Sequence, residues 1–173
     1  MSRLRRLVLS DRYFFVTCNL LRTRGPLNNN DFDILARVIE ARRREHGFLL
    51  TAWVFLPDHW HAILAVRYPK TIALVVESIK VSSTRQINTG QKGSGRLWQG
   101  RFFDRALRTV REYNETVGYI HWNPVRRGLV KHPEEWKWSS VHDYGFAKMD
   151  DTHQKSAVPI DRVRLPADVK ARI

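Results

Sequence analysis

The first residues in this chain whose types and spacing could do chemistry are His59 and His61, set either side of Trp60. Side chains alternate along an extended strand, so the two histidines point to one face and Trp60 to the other. Two imidazoles so placed can hold one divalent cation and leave its remaining positions for a further ligand, water or substrate. The same spacing also arises where histidines merely pack or face solvent, so the pair acquires meaning only from a partner.

The candidate partner lies in Val110 to Pro124 (VREYNETVGYIHWNP). At helical spacing Tyr113, Val117 and Ile120 form an apolar stripe, which reads as the core face. Glu112, Thr116, Tyr119 and Asn123 form the neighbouring stripe, with Tyr119 and Asn123 one turn apart. Tyr113 therefore reads as structural, and Tyr119 as the tyrosine free for chemistry. A tyrosine hydroxyl is protonated at neutral pH, so its use as a nucleophile requires activation, which a nearby cation can provide. Asn123 offers a hard oxygen of the kind that suits Mg²⁺ or Mn²⁺. A boundary tyrosine and an asparagine that ends a helix before Pro124 would give the same pattern.

Positioning these groups requires a particular order of elements. Tyr13 to Leu21 (YFFVTCNLL) is rich in aromatic and β-branched residues and predicts a first strand. After the loop Arg24 to Asn30, Asp31 is placed to cap a helix with apolar positions Ile34, Leu35, Val38 and Ile39, stopped at Gly47. Phe48 to Leu56 reads as a buried strand, Pro57 and Asp58 as a turn, and His59 to Val66 as a third strand. Thr71 opens a second helix to about Ile87, followed by a polar loop at Asn88 to Gly95, a strand at Leu97 to Leu107 and a helix from Val110 to Asn123. The order βαββαβ with an added helix is the split βαβ pattern of an α+β ferredoxin-like sandwich with an antiparallel sheet. The expected domain spans residues 1–145, with 146–173 as a basic, flexible tail.

Composition narrows the partner. Lys and Arg number 30 against 17 Asp and Glu, giving a formal charge of +13 and a pI near 10.6. Such a surplus points to a polyanion, and its arginine-rich make-up favours nucleic acid over a membrane surface. Cys18 is the only cysteine, which excludes an intramolecular disulfide and a cysteine-based zinc site. No apolar run approaches a membrane span, and the N-terminal run is too short for a signal peptide, so a soluble intracellular protein is expected. There is no Walker-type loop and no His-Glu-x-x-His motif, which argues against nucleotide hydrolysis and zinc hydrolases.

Three blocks in order, Leu56 to Leu64 (LPDHWHAIL), Tyr119 to Val130 (YIHWNPVRRGLV) and Trp136 to Ser140 (WKWSS), resemble the REP-associated tyrosine transposases. These are relatives of the IS200/IS605 single-tyrosine transposases of the HUH endonuclease type. The resemblance runs from about Tyr13 to Tyr144. It implies that His59, His61 and Asn123 bind a divalent metal, Mg²⁺ or Mn²⁺, and that Tyr119 is the catalytic nucleophile. It implies a ferredoxin-like fold with a C-terminal catalytic helix, and a substrate of single-stranded DNA bearing a REP-type hairpin. The product would be a 5′-phosphotyrosine and a free 3′-OH. The chain departs from the family in having Trp60 at the usually aliphatic central position, and Phe102 and Phe103 where tyrosine is common.

Trp98, Arg101 and Trp122 are candidates for stacking on unpaired bases, although each tryptophan could equally pack in the core. Arg126, Arg127 and Lys131 follow the catalytic helix and are candidates for the DNA backbone, as are Arg3, Arg5, Arg6, Lys155, Arg162, Arg164 and Lys170. A bacterial cytoplasmic, nucleoid-associated enzyme is expected, acting as monomer or homodimer. A non-catalytic hairpin-binding protein and an HUH replication initiator or relaxase are the alternatives.

Overall fold

A computed structural model of the chain describes residues 12–144 and 156–163. Arg3, Arg5, Arg6, Lys155, Arg164 and Lys170 lie outside the described residues. The elements are β1 (Arg12–Asn19), α1 (Asn29–His46), β2 (Leu49–Leu56), β3 (His59–Val66), α2 (Ile72–Gln91), β4 (Phe103–Leu107) and α3 (Val110–Arg126). Two short 3₁₀ turns, Pro133–Glu135 and Ser140–Asp143, follow. The strands form one antiparallel sheet in the order β2-β3-β1-β4. This is the expected ferredoxin-like α+β sandwich with a third helix added.

Strand alternation divides the sheet into two apolar faces. Phe14, Val16, Cys18, Trp53, Phe55, Trp60, Ala62 and Leu64 point to the side covered by α1 and α2. Phe15, Ala52, Val54, Leu56 and Ile63 point to the other side, where Tyr113, Val117 and Ile120 of α3 close over them. β2 and β3 are therefore apolar throughout, as expected for strands buried on both faces. Trp60 lies in the α1/α2 core with no exposed surface, so it is a packing residue and lies on the face opposite the histidines.

Several boundaries differ from the sequence reading, each for a local reason. Asn28, not Asp31, caps α1: its side chain accepts from Asn30 N–H and Asp31 N–H, and Asp31 returns a bond to Asn28 N–H in a capping box. Helix α2 continues to Gln91, absorbing half of the expected loop, and ends on Lys92 in left-handed geometry. The expected strand Leu97 to Leu107 forms only over its last five residues, because the indole of Trp98 is anchored in the core before Gly100 turns the chain.

Helix α3 also runs beyond Asn123, to Arg126, with Pro124 inside its last turn. Pro124 there forfeits one backbone hydrogen bond. Arg127 N–H to Asn123 O (3.0 Å) and Gly128 N–H to Val125 O (2.9 Å) close the end, with Gly128 at φ +68°.

The expectation of a flexible tail does not hold for Ser156 to Val163, which packs along β2. Val158 is fully buried, and its carbonyl accepts from Trp53 Nε1–H at 2.9 Å. Asp161 takes the Leu50 N–H on its carboxylate, gives its own N–H to the Leu50 carbonyl, and pairs with Arg43. None of the helices among the described residues is long and apolar enough to cross a membrane.

Candidate active site

The tight β2–β3 turn starts β3 at His59, and the β1–β3 register sets Asn19 opposite His59 and Thr17 opposite His61. Directly opposite residues in an antiparallel pair share a face. Thr17, His59 and His61 thus lie together beneath the stripe of α3 that carries Tyr119 and Asn123. The packing of Tyr113, Val117 and Ile120 against the sheet fixes the rotation of α3 and so aims that stripe.

The histidines are buried, at 8% and 4% exposure, with Nε2 atoms 3.0 Å apart. Their other ring nitrogens are occupied. His59 Nδ1 lies 2.6 Å from Asp58 Oδ1, and His61 Nδ1 lies 2.8 Å from Thr17 Oγ1. Asn123, 5% exposed, brings its amide Nδ2 to 3.2 Å from His61 Nε2, while its Oδ1 is buried without a hydrogen-bond partner. A half-turn of the amide puts the orphaned oxygen beside the histidines in place of the nitrogen.

Tyr119 stands at the rim, 39% exposed. Its ring centroid lies 5.4 Å from that of His61 and 5.8 Å edge-to-face from Phe15, and the guanidinium of Arg126 lies 5.3 Å over it. A cleft of about 230 Å³ opens beside it, lined by Phe15, Arg105, Glu115 and Thr116.

The electrostatics keep the imidazoles neutral. Burial lowers the pKa of His61 to about 3, with the neighbouring His59 and Arg127 acting in the same direction. Burial also lowers that of His59, against the opposing pull of Asp58. Burial works against the charge of Asp58, yet hydrogen bonds from Arg127 and His59 outweigh it and hold its pKa below the ordinary value. Arg127 in turn has its pKa raised by its bond to Asp58.

This donor set fits a small divalent cation. Two cis ligands on bonds of about 2.1 Å stand about 3 Å apart, which is the spacing of the two Nε2 atoms. Asn123 Oδ1 is a buried acceptor with nothing to accept. Among the described residues no cluster of three or more His, Cys, Asp or Glu forms, so the third protein donor available to the pair is the amide.

The structure thus brings together His59, His61, Tyr119, Asn123, Arg126 and Arg127. It does not bring Trp98, which is 3% exposed with its indole N–H given to Ser83 Oγ at 2.8 Å; as a base-stacking surface it is unavailable, and this expectation is corrected. Trp122 is half exposed but lines a different cleft, with Gly118, His121 and Tyr144. Arg101 and Lys131 are exposed. Thr17, Asp58, Arg105 and Phe15 were not anticipated. Asp58 carried a signal, a carboxylate adjoining a candidate ligand; the other three depend on strand register and helix placement.

Residues 9–123 match the model of the family described as "Transposase IS200 like". The chain is 32% identical over 145 residues to a REP-associated tyrosine transposase of Escherichia coli (strain K12), an alignment covering 82% of this chain and 84% of that protein. It also superposes, with a TM-score of 0.74 and 27% identity, on a solved REP-associated tyrosine transposase bound to a REP hairpin, covering 95% of this chain and all of that one.

Proposed function

Because this chain belongs to the IS200-like transposase family, we propose that it cleaves and rejoins single-stranded DNA beside REP-type hairpins, with Tyr119 as nucleophile. The observation that carries the reading is the convergence of two imidazole Nε2 atoms and the side-chain amide of Asn123 beside a partly exposed tyrosine. The family works with a divalent metal, and His59, His61 and Asn123 are the residues that would hold it, with Mg²⁺ or Mn²⁺ favoured by the hard third donor. When bound, the ion supplies Lewis-acid polarisation of a non-bridging phosphate oxygen.

The remaining work falls to the chain's own groups. Tyr119 Oη bonds to phosphorus while the bond from phosphorus to the 3′ oxygen breaks. The phenolic proton is lost and the leaving oxygen ends as a 3′-OH, so the enzyme retains a 5′-phosphotyrosine. A second 3′-OH can reverse the step, and no nucleotide cofactor is required because one phosphodiester replaces another. Arg126, stacked over the Tyr119 ring, and Arg105 in the adjoining cleft are positioned for the phosphate charge. Placing Tyr119 on a packed helix holds its approach to the phosphate, the larger part of what positioning offers catalysis.

The test is incubation with a labelled REP-hairpin oligonucleotide and Mn²⁺, followed by denaturing electrophoresis. Wild type should give a denaturation-resistant protein–DNA adduct and Tyr119→Phe none. An adduct of equal yield with Tyr119→Phe removes the nucleophile assignment. Hairpin binding without cleavage under any divalent metal favours a non-catalytic binder.

A further inference from the structure

Phe103 has an aromatic ring that the core does not use. It opens the edge strand β4, 53% exposed, on the sheet face that carries the histidines. Register sets this placement: Thr17 of β1 lies opposite Phe103 on one side and opposite His61 on the other, and residues directly opposite share a face. Two strand spacings, about 10 Å, therefore separate Phe103 from His61 across the sheet. Phe15 ties the exposed ring to the site. It makes a T-shaped contact with Phe103 at 6.1 Å between centroids and another with Tyr119 at 5.8 Å. Arg105 follows two residues along β4 on the same face, lines the cleft beside Tyr119, and reaches Thr116 Oγ1 at 3.4 Å, a long contact. That cleft, about 230 Å³, is smaller than the roughly 300–1,000 Å³ of sites for drug-sized ligands, so it suits one flat ring system and not a run of nucleotides. A single exposed aromatic is ordinary on a protein surface. This one adjoins the nucleophile, with a cation one strand repeat away.

We propose that Phe103 is a base-binding residue: its ring stacks on the unpaired base next to the scissile phosphate, with the Arg105 guanidinium on the adjoining phosphate charge. Strand rise sets Phe103 and Arg105 about 6.6 Å apart, within the span of one nucleotide. Stacking on an aromatic ring is open to every base, because each has a π-face, so Phe103 positions the strand without reading its sequence. Seating the base restricts the backbone rotations that would carry the scissile phosphate away from Tyr119. This rests on the reading of Tyr119 as the nucleophile.

Cleavage by wild type maps the scissile phosphate in a REP-hairpin oligonucleotide. Binding is then measured by fluorescence anisotropy in the Tyr119→Phe protein, where the bond stays intact, with single abasic sites placed in turn through the unpaired segment. Removing the base at one of the two positions flanking the scissile phosphate should weaken binding about tenfold, and adding Phe103→Ala should weaken binding of the intact oligonucleotide by a similar factor. The two losses should not add: with Phe103→Ala, the abasic oligonucleotide should bind as well as the intact one. Phe103→Trp should keep the full affinity, and Phe103→Leu, apolar without a π-face, should fall with alanine. Additive losses, or coupling only to a base remote from the cleaved bond, overturn the proposal. A change in sedimentation with Phe103→Ala and unchanged DNA binding also overturns it, by making the ring a contact between copies of the chain. If Phe103→Ala does not fold, Phe103→Leu against Phe103→Trp gives the same comparison. If wild type cleaves nowhere, the transposase reading fails by itself, and coupling of Phe103 to no base in the scan then overturns base binding as well.

Discussion

Removing the carboxylate of Asp58 should weaken metal binding without unfolding the protein. Asp58 Oδ1 lies 2.6 Å from His59 Nδ1, and its other oxygen takes the Arg127 guanidinium. A hydrogen bond to a charged group contributes about 1.5–3 kcal/mol. The Asp58 side chain is 57% exposed, so solvent screening brings the expected contribution to about 1.4 kcal/mol, a factor of about ten in affinity. Asp58→Ala also frees His59 to move its proton to Nε2, which blocks ligation, so tenfold is a lower bound. Asp58→Asn keeps an oxygen that can accept from Nδ1–H and should fall between the two. Mn²⁺ titration calorimetry at fixed pH and ionic strength measures all three proteins, and hairpin cleavage should recover toward wild type at saturating Mn²⁺. Thermal melts without metal separate an effect on the β2–β3 turn from one on the site. Asp58→Ala binding Mn²⁺ within twofold of wild type would refute the reasoning, as would Asn ranking below Ala.

Asn123→Ala should weaken Mn²⁺ by tenfold or more, yet shift the metal-free unfolding free energy by less than about 1 kcal/mol, because it deletes an unsatisfied buried oxygen; a large loss of metal-free stability would show that the amide is structural. Acid should destabilise the metal-free protein through His121, which burial holds at a pKa of about 4 beside Ser140. Between 6.5 and 4 the unfolded chain binds more protons than the folded one, so stability is full above pH 6.5 and falls by about 2 kcal/mol on reaching pH 5. Urea unfolding of wild type and His121→Gln across that range checks this, and identical pH profiles would exclude His121 as the source. Asp161→Ala leaves the Leu50 N–H without its partner, removes one of the Arg43 ion pairs and should cost about 2 kcal/mol in the same assay; a change under about 0.5 kcal/mol would mean that the Asp161 carboxylate contributes nothing to holding the C-terminal segment on β2.

The sequence carried the elements whose patterns are local. His59 to Val66 emerges with the bounds read from its alternation, Thr71 opens α2 and Gly47 closes α1 as their types dictate. The stripes of α3 were also legible, because helical spacing alone separates Tyr113 from Tyr119. What escaped is set by long-range pairing. Thr17 enters the site only because β1 pairs with β3 in one register, and a slip by one residue would bring Val16 or Cys18 instead. Trp98 reads as an aromatic near a basic run, and only the packing of Ser83 beneath it makes it core. Pro124 was read as a stop, and the packing of the α3 stripe on the sheet carried the helix three residues past Asn123.

The outer margin of β2 has a consequence for the order in which the protein is made. Its backbone finds its partners late in the chain: Phe55 N–H on Trp138, Trp53 N–H on Ser140, the Thr51 carbonyl on Tyr144, and Leu50 on Asp161. Between synthesis of Leu50 and of Asp161 lie 111 residues, roughly 5–20 s of translation. Throughout that interval the strand Leu49–Leu56 (LLTAWVFL), uncharged and free of proline, presents an open margin that another nascent chain could join. The C-terminal segment thus acts as a late-arriving guard against aggregation, and shortening it would lower the yield of dispersed protein before it altered any step at the phosphate.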